Sequence, residues 1–244
     1  MRNVAFNSYY WDGLYDWTGA GEEWSETWGG SRAQWLGSLY PRIAGFLPAD
    51  KILEIAPGFG RWTQFLLTAC KEYQGVDLSQ ECVDACRKRF PMVTTAQFEK
   101  NDGVSLPTVE SGSVNFLFSF DSLVHAEAEV IAQYVPELLR VLAPDGVAFI
   151  HHSNWAEVGA RLENSHGRGM DVSAADVAAM IKSAGGSVII QEKINWGLEE
   201  CTDCLTLFGQ KSCDPVFIKN QEFMQEAKSI CRNQSPYSNL IKPL

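Results

Sequence analysis

No apolar run in the chain approaches the roughly 18 residues that a membrane-spanning helix needs, and the opening MRNVAFNSYY has no signal-like apolar core. The expectation is a cytoplasmic protein with no membrane partner. Positive charge is also scarce: 20 Lys and Arg stand against 30 Asp and Glu, a net charge of -10. Without a basic face there is little to replace the counterions of a phosphate backbone, so nucleic acid is excluded as a partner and a small-molecule substrate is expected. The seven cysteines are an odd number without a secretion signal, which favours reduced thiols over a disulfide framework. Cys201 and Cys204 form a lone CxxC, and no second CxxC or paired His follows to complete a zinc site. Cys82 and Cys86, one helical turn apart, are expected to face the core.

What is present is a globular composition, 45% hydrophobic, on 244 residues, enough for one large domain with decorations. Residues 51–152 alternate strand and helix signals. KILEIA precedes a Pro-Gly turn, RWTQFLLTAC (61–70) has helical spacing, and YQGVD is a strand ending at Asp77. Ser79 opens the next helix as its N-cap. TTAQFE and SVNFLFSF follow as strands, then a helix over 127–142 with Pro136 as a candidate break, then GVAFIHH. Repeated βα units of this length imply a doubly wound, mostly parallel α/β sheet with right-handed crossovers.

Residues 153–170 are polar and without periodicity, the kind of long loop that is usually functional or mobile. Ser173 caps a helix ending at Gly185-Gly186, and SVIIQEKINW with DCLTLFGQ reads as an antiparallel hairpin at the sheet edge. The expected organisation is a helical cap or lid over 1–46, a core domain over 47–212, and a tail helix over 213–244 packing on it. Five of the eight tryptophans (Trp11, Trp17, Trp24, Trp28, Trp35) lie in the cap. Such aromatics pack a cap onto a sheet, and they can equally wall a ligand pocket or form a homodimer surface.

The stretch EIAPGFG (54–60) joins the first strand to a helix-like run, so backbone N–H groups converge where an anion or polar ligand would sit. A P-loop requires GxxxxGK[ST], and no Lys followed by Ser or Thr stands at that spacing. A dinucleotide fingerprint, GxGxxG, matches Gly58 and Gly60 but meets Thr63 where the third glycine belongs, which weakens the reading as an NAD-dependent oxidoreductase.

The same stretch resembles the first motif of class I S-adenosylmethionine (SAM)-dependent methyltransferases, an acidic residue followed by GxGxG, with Ala56 replacing the first glycine. By that resemblance, Glu54 helps hold the methionine amino group indirectly, and the turn from Ala56 through Gly58 to Gly60 lies against methionine and ribose. Asp77 would accept the ribose hydroxyls, with Leu78 beside it. Asn101, Asp102 and Gly103 would grip adenine, and Phe120 and Asp121 would face methionine and substrate. LRVLAPDGVAFI (139–150) is similar to the family's helix, turn and fifth strand. The implied fold is a Rossmann-like seven-stranded sheet closed by a C-terminal antiparallel hairpin, under the aromatic N-terminal cap. SAM is the implied cofactor and S-adenosylhomocysteine (SAH) its product.

Methyl transfer from a sulfonium is an in-line displacement, so the protein must align the acceptor and, for an alcohol, help remove its proton. Asp121 and His125, four residues apart, share a face if a helix starts at Leu123, and Asp121 would then orient His125 as base. Alternation sends His151 and His152 to opposite sheet faces; His152 or Asn154 is the candidate for the cleft. The histidines and Asp121 compose a conceivable divalent site, but no carboxylate pair follows strand five, and no metal is expected. His166, Arg161 and Arg168 are candidates for an anionic substrate group. EEWSETWGGS, FSFDSLVHAE and FIHHSN resemble enzymes of glycan and natural-product modification, so a sugar or natural-product hydroxyl is the first expected acceptor. The alternatives are N-methylation of a heteroaromatic ring stacked on Trp24 or Trp28, and a SAM-binding module without catalysis.

Overall fold

The computed structural model describes residues 3–159, 164, 166–197 and 200–234. Eight strands form one sheet: β1 (Ala49–Ile55), β2 (Cys70–Asp77), β3 (Ala96–Lys100), β4 (Val114–Ser119), β5 (Leu142–Ser153), β6 (Ser187–Ile194), β7 (Asp203–Gly209) and β8 (Val216–Asn220). Their order is β3-β2-β1-β4-β5-β7-β6-β8. β1 to β5 pair in parallel, whereas β7 runs antiparallel to both β5 and β6. The expected hairpin therefore exists, but β7 lies inside the sheet. The eighth strand, VFIKN, comes from the tail and pairs in parallel with β6.

Strands buried on both sides cannot show polar alternation, and β1 illustrates this. Ile52 and Leu53 are adjacent and both fully buried. Leu53 joins a core with the Ala128–Val141 and Ala174–Ser183 helices, while Ile52 joins an aromatic core with Trp28, Trp35, Tyr73, Phe116 and Phe223. The aromatic core thus takes side chains from all three expected segments of the chain. Arg42 adds a polar tie, donating to both carboxylate oxygens of Glu192 on β6 and of Glu226 in the Phe223–Gln234 helix.

Local signals act where they are expected in two helices. The Ser79 hydroxyl accepts from the Cys82 N–H at 3.2 Å, and the Ser173 hydroxyl accepts from the Asp176 N–H at 3.2 Å. The Ala128–Val141 helix runs unbroken through Pro136. Seven of its residues are buried, outweighing the roughly 3 kcal/mol cost of an interior proline. Residues 61–70 depart from expectation, because only Thr63–Leu66 and a 3₁₀ turn at Leu67–Ala69 are helical before β2 begins at Cys70. Among the described residues no helix is long and apolar enough to cross a membrane.

Candidate active site

The EIAPGFG turn is bent by three left-handed residues: Ala56 (φ 56°), Gly58 (φ 58°) and Gly60 (φ 84°). At Gly60 the reason is steric as well, since a Cβ there would stand 2.6 Å from the Phe90 ring. Ala56 carries a Cβ in this conformation at a cost of about 1–2 kcal/mol. Asp77, at the end of β2, holds the turn by accepting the Gly58 N–H (3.0 Å) and the Ser79 N–H (2.9 Å). Burial pushes its carboxyl up to about 6, against the lowering effect of those bonds. Beneath the turn, Glu54 accepts from Thr63 (2.7 Å) and Tyr73, and burial pushes it up to about 7. Thr63, the residue that spoils the dinucleotide fingerprint, is thus a support for Glu54.

Above the turn lies a cavity of about 950 Å³ including its open mouth, within the range of small-molecule sites. Of the residues singled out from sequence, Ala56, Gly58, Asp77, Leu78, Asn101, Gly103, Phe120, Asp121, His125 and Trp24 line it. Its roof comes from residues between Val4 and Trp24. Trp11, Trp17 and Trp24 pack on one another with ring centroids 5.5–5.9 Å apart, and Trp17 stacks on Phe59 at 4.6 Å. Two close approaches crowd the floor: a Cβ on Gly58 would meet Trp17 at 3.3 Å, and one on Gly103 would meet Leu78 at 3.2 Å, so each neighbour would have to give by a few tenths of an ångström. An acidic group at the end of β2, a glycine floor and aromatic walls fit a nucleoside bearing an amino-acid tail. Asp77 would take the ribose end, Asn101 and Gly103 the base end, and the turn at Ala56–Gly58 the tail.

The far end of the cavity differs from expectation. Asp121 has left-handed backbone (φ 62°) and lies outside the 3₁₀ turn Leu123–His125, so its side chain does not share a face with that of His125. Its carboxylate instead accepts from Arg61 Nη2 at 2.7 Å. Arg61 also donates to Ser25 and lies between Trp24 and Trp62, 5.1 and 4.6 Å from their centroids. His125 Nδ1 is 3.0 Å from the Gly167 carbonyl oxygen, and its ring packs 5.3 Å from Trp11. A carbonyl only accepts, so Nδ1 carries a proton in this arrangement.

Other expected residues lie elsewhere. His152 is fully buried, with Nδ1 on the Ser153 carbonyl (2.8 Å) and Nε2 on Thr206 (2.7 Å), and burial lowers it to about 4. Alternation along β5 turns His151, not His152, toward Phe120, on which it stacks at 4.6 Å. Asn154 is spent on backbone, accepting from Ala174 and donating to Cys201. Trp28 packs edge-on against Trp196 and Phe223 in the aromatic core. Asp102 closes its own turn by accepting from Val104 and Ser105, outside the cavity lining. Glu54 and Gly60 support the lining from behind. Arg168 pairs with buried Asp203, His166 is exposed, and Arg161 lies outside the described residues. Arg61, Trp11 and Trp17 were not signalled as site residues; the only hint was their proximity to the glycine turn or their place in the aromatic cap.

Comparison with known proteins adds a domain match to this geometry. The description "Methyltransferase domain" matches residues 52–146. The bifunctional biotin biosynthesis protein BioHC of Cellvibrio japonicus is 34% identical over 113 residues, 45% of this chain. The chain spans only about a fifth (22%) of that curated relative. Among solved structures, the PH0226 protein of Pyrococcus horikoshii shares 20% identity with a TM-score of 0.59, covering 74% of this chain and 91% of its own. The DhpI–SAH complex shares 17% identity with a TM-score of 0.57, covering 85% and 94%. At these identities the structures show a shared fold.

Proposed function

We propose that this chain, whose residues 52–146 match a methyltransferase domain, is a SAM-dependent methyltransferase of the class I type that transfers a methyl group to a hydroxyl of a small molecule, a sugar or natural-product intermediate. The cofactor is SAM, which supplies an electrophilic methyl group on a sulfonium. The observation that supports the hydroxyl reading is His125 at the cavity wall with a proton on Nδ1 held by the Gly167 carbonyl, which leaves Nε2 as the atom that would act as base. In this reading His125 takes the acceptor's proton, Phe120 and the cap tryptophans exclude water, and the Arg61–Asp121 pair orients the acceptor's polar groups. The cap over 1–46 acts as the roof of the site. Trp24 contributes to the wall that acceptor and cofactor share, whereas Trp28, His152 and Asn154 act behind it.

N-methylation of a heteroaromatic ring is the second reading, supported by the four tryptophans, Trp11, Trp17, Trp24 and Trp62, that wall the cavity. The two separate on one substitution. With alcohol acceptors, His125→Ala is expected to lower SAH production by about a hundredfold or more. With a ring nitrogen, whose lone pair needs no base, the rate should stay within a few-fold. A full rate with an alcohol acceptor in His125→Ala would remove the base from the mechanism.

A further inference from the structure

Behind the cavity lies a polar group that the proposed chemistry does not use directly. Arg168 (3% exposed) and Asp203 (fully buried) form a bidentate pair, Nε to Oδ1 at 3.0 Å and Nη2 to Oδ2 at 2.7 Å. Burial by itself would raise the Asp203 carboxyl, but the Arg168 charge brings it well below the usual carboxylate range. Trp196 covers the guanidinium at 5.3 Å.

Two arms lead from this pair to the cavity. In the first, the residues flanking Arg168 are fastened to the segment that carries His125: Gly169 N–H donates to the Val124 carbonyl at 2.7 Å, and the Gly167 carbonyl meets His125 Nδ1. The fit is tight, since a Cβ on Gly169 would stand 2.1 Å from the Ala126 oxygen. In the second, His151 Nε2 lies 3.3 Å from Asp203 Oδ2, poorly aligned for a hydrogen bond, while its Nδ1 accepts the Asp121 N–H at 3.2 Å. Asp121 is the left-handed residue whose carboxylate holds Arg61.

We infer that the buried Arg168–Asp203 pair is a positioning device for the candidate active site: it sets the Gly167 carbonyl that fixes the His125 tautomer and, through His151, the backbone of Asp121. A rigid second layer of this kind is how sites keep a histidine in one orientation. The mechanistic importance of this device rests on the proposed role of His125, but its structural content does not.

The chain has four histidines, so a ¹⁵N-histidine-labelled sample gives a readable NMR spectrum without any knowledge of the acceptor. In the wild type His125 and His152 are expected as Nδ1–H tautomers and His151 as Nε2–H. In Arg168→Lys, which keeps the charge but loses the fork, His125 should lose its uniform Nδ1–H tautomer and show a mixture of the two, with SAH affinity unchanged. His152, held by Ser153 and Thr206, should not move and reports that the fold persists. If Arg168→Lys does not fold, Asp203→Asn, which keeps the acceptor's shape but removes its charge, weakens the same pair from the other side, and the same change at His125 is expected. A wild-type His125 protonated on Nε2, or a folded variant whose His125 keeps its tautomer, overturns the inference. Loss of the base role in His125→Ala assays leaves the tautomer result standing, so the two failures are distinguishable.

Discussion

Trp24 and Trp28 are four residues apart, and the first lines the cavity while the second is 1% exposed in the aromatic core. The same division separates Asp77 from Glu54, two buried carboxylates at the ends of neighbouring strands: Asp77 borders the cavity, and Glu54 is closed in by Thr63 and Tyr73. Residue type sets how much surface must be covered, but which side of the cavity wall a residue occupies decides whether it serves stability or binding. Each pair therefore offers one member whose loss should be felt in unfolding and one whose loss should be felt in affinity.

The largest effect is expected from the core side. Trp28→Ala should destabilise the protein by about 3–5 kcal/mol in denaturant unfolding, because the surrounding rings cannot collapse into the space. Next comes Glu54, raised from 4.5 to about 7. A carboxyl raised on folding contributes stability below its unfolded value and loses it as pH rises through the folded one. At about 1.4 kcal/mol per unit, roughly 3 kcal/mol should disappear between pH 4.5 and 7, and Glu54→Gln, which still accepts from Thr63 and Tyr73, should flatten that slope. An unchanged slope would place the proton on another group.

On the cavity side, Asp77→Asn should weaken SAH about 10–100-fold by calorimetry, as expected for the loss of charge-assisted hydrogen bonds. Trp24→Ala should weaken it about three- to tenfold, with little change in the unfolding midpoint. If Trp24→Ala proves as destabilising as Trp28→Ala, the distinction between roof and core fails. The smallest effect belongs to Ala56→Gly, which relieves a left-handed alanine and should gain about 1 kcal/mol or less after the added freedom of the unfolded chain is counted.

Much of this division is written locally. The apolar run of β1, the glycine turn, the acidic end of β2 and the Ser79 and Ser173 caps need only a few neighbouring residues, and the sequence shows them. The fates of Trp24 and Trp28 do not follow from composition, because a 3₁₀ turn over Glu22–Trp28 turns the chain from cavity to core within its own length. The expected Asp121–His125 pair fails for a similar reason: an i, i+4 contact presumes α-helix, and the segment supplies a left-handed residue and a 3₁₀ turn. Arg61 with Asp121, and Arg168 with Asp203, join residues 60 and 35 positions apart, and no periodic pattern carries such information. The eighth strand was hidden because its residues are largely exposed on the sheet edge and show no buried-strand signature.

The most direct measurement is a calorimetric titration of the protein with SAH, with NAD as the control ligand. Binding of SAH in the micromolar range, weakened by Asp77→Asn and indifferent to NAD, is the predicted result. No binding of SAH, or a preference for NAD, would contradict the assignment of the cavity between the glycine turn and the tryptophan roof as the cofactor site.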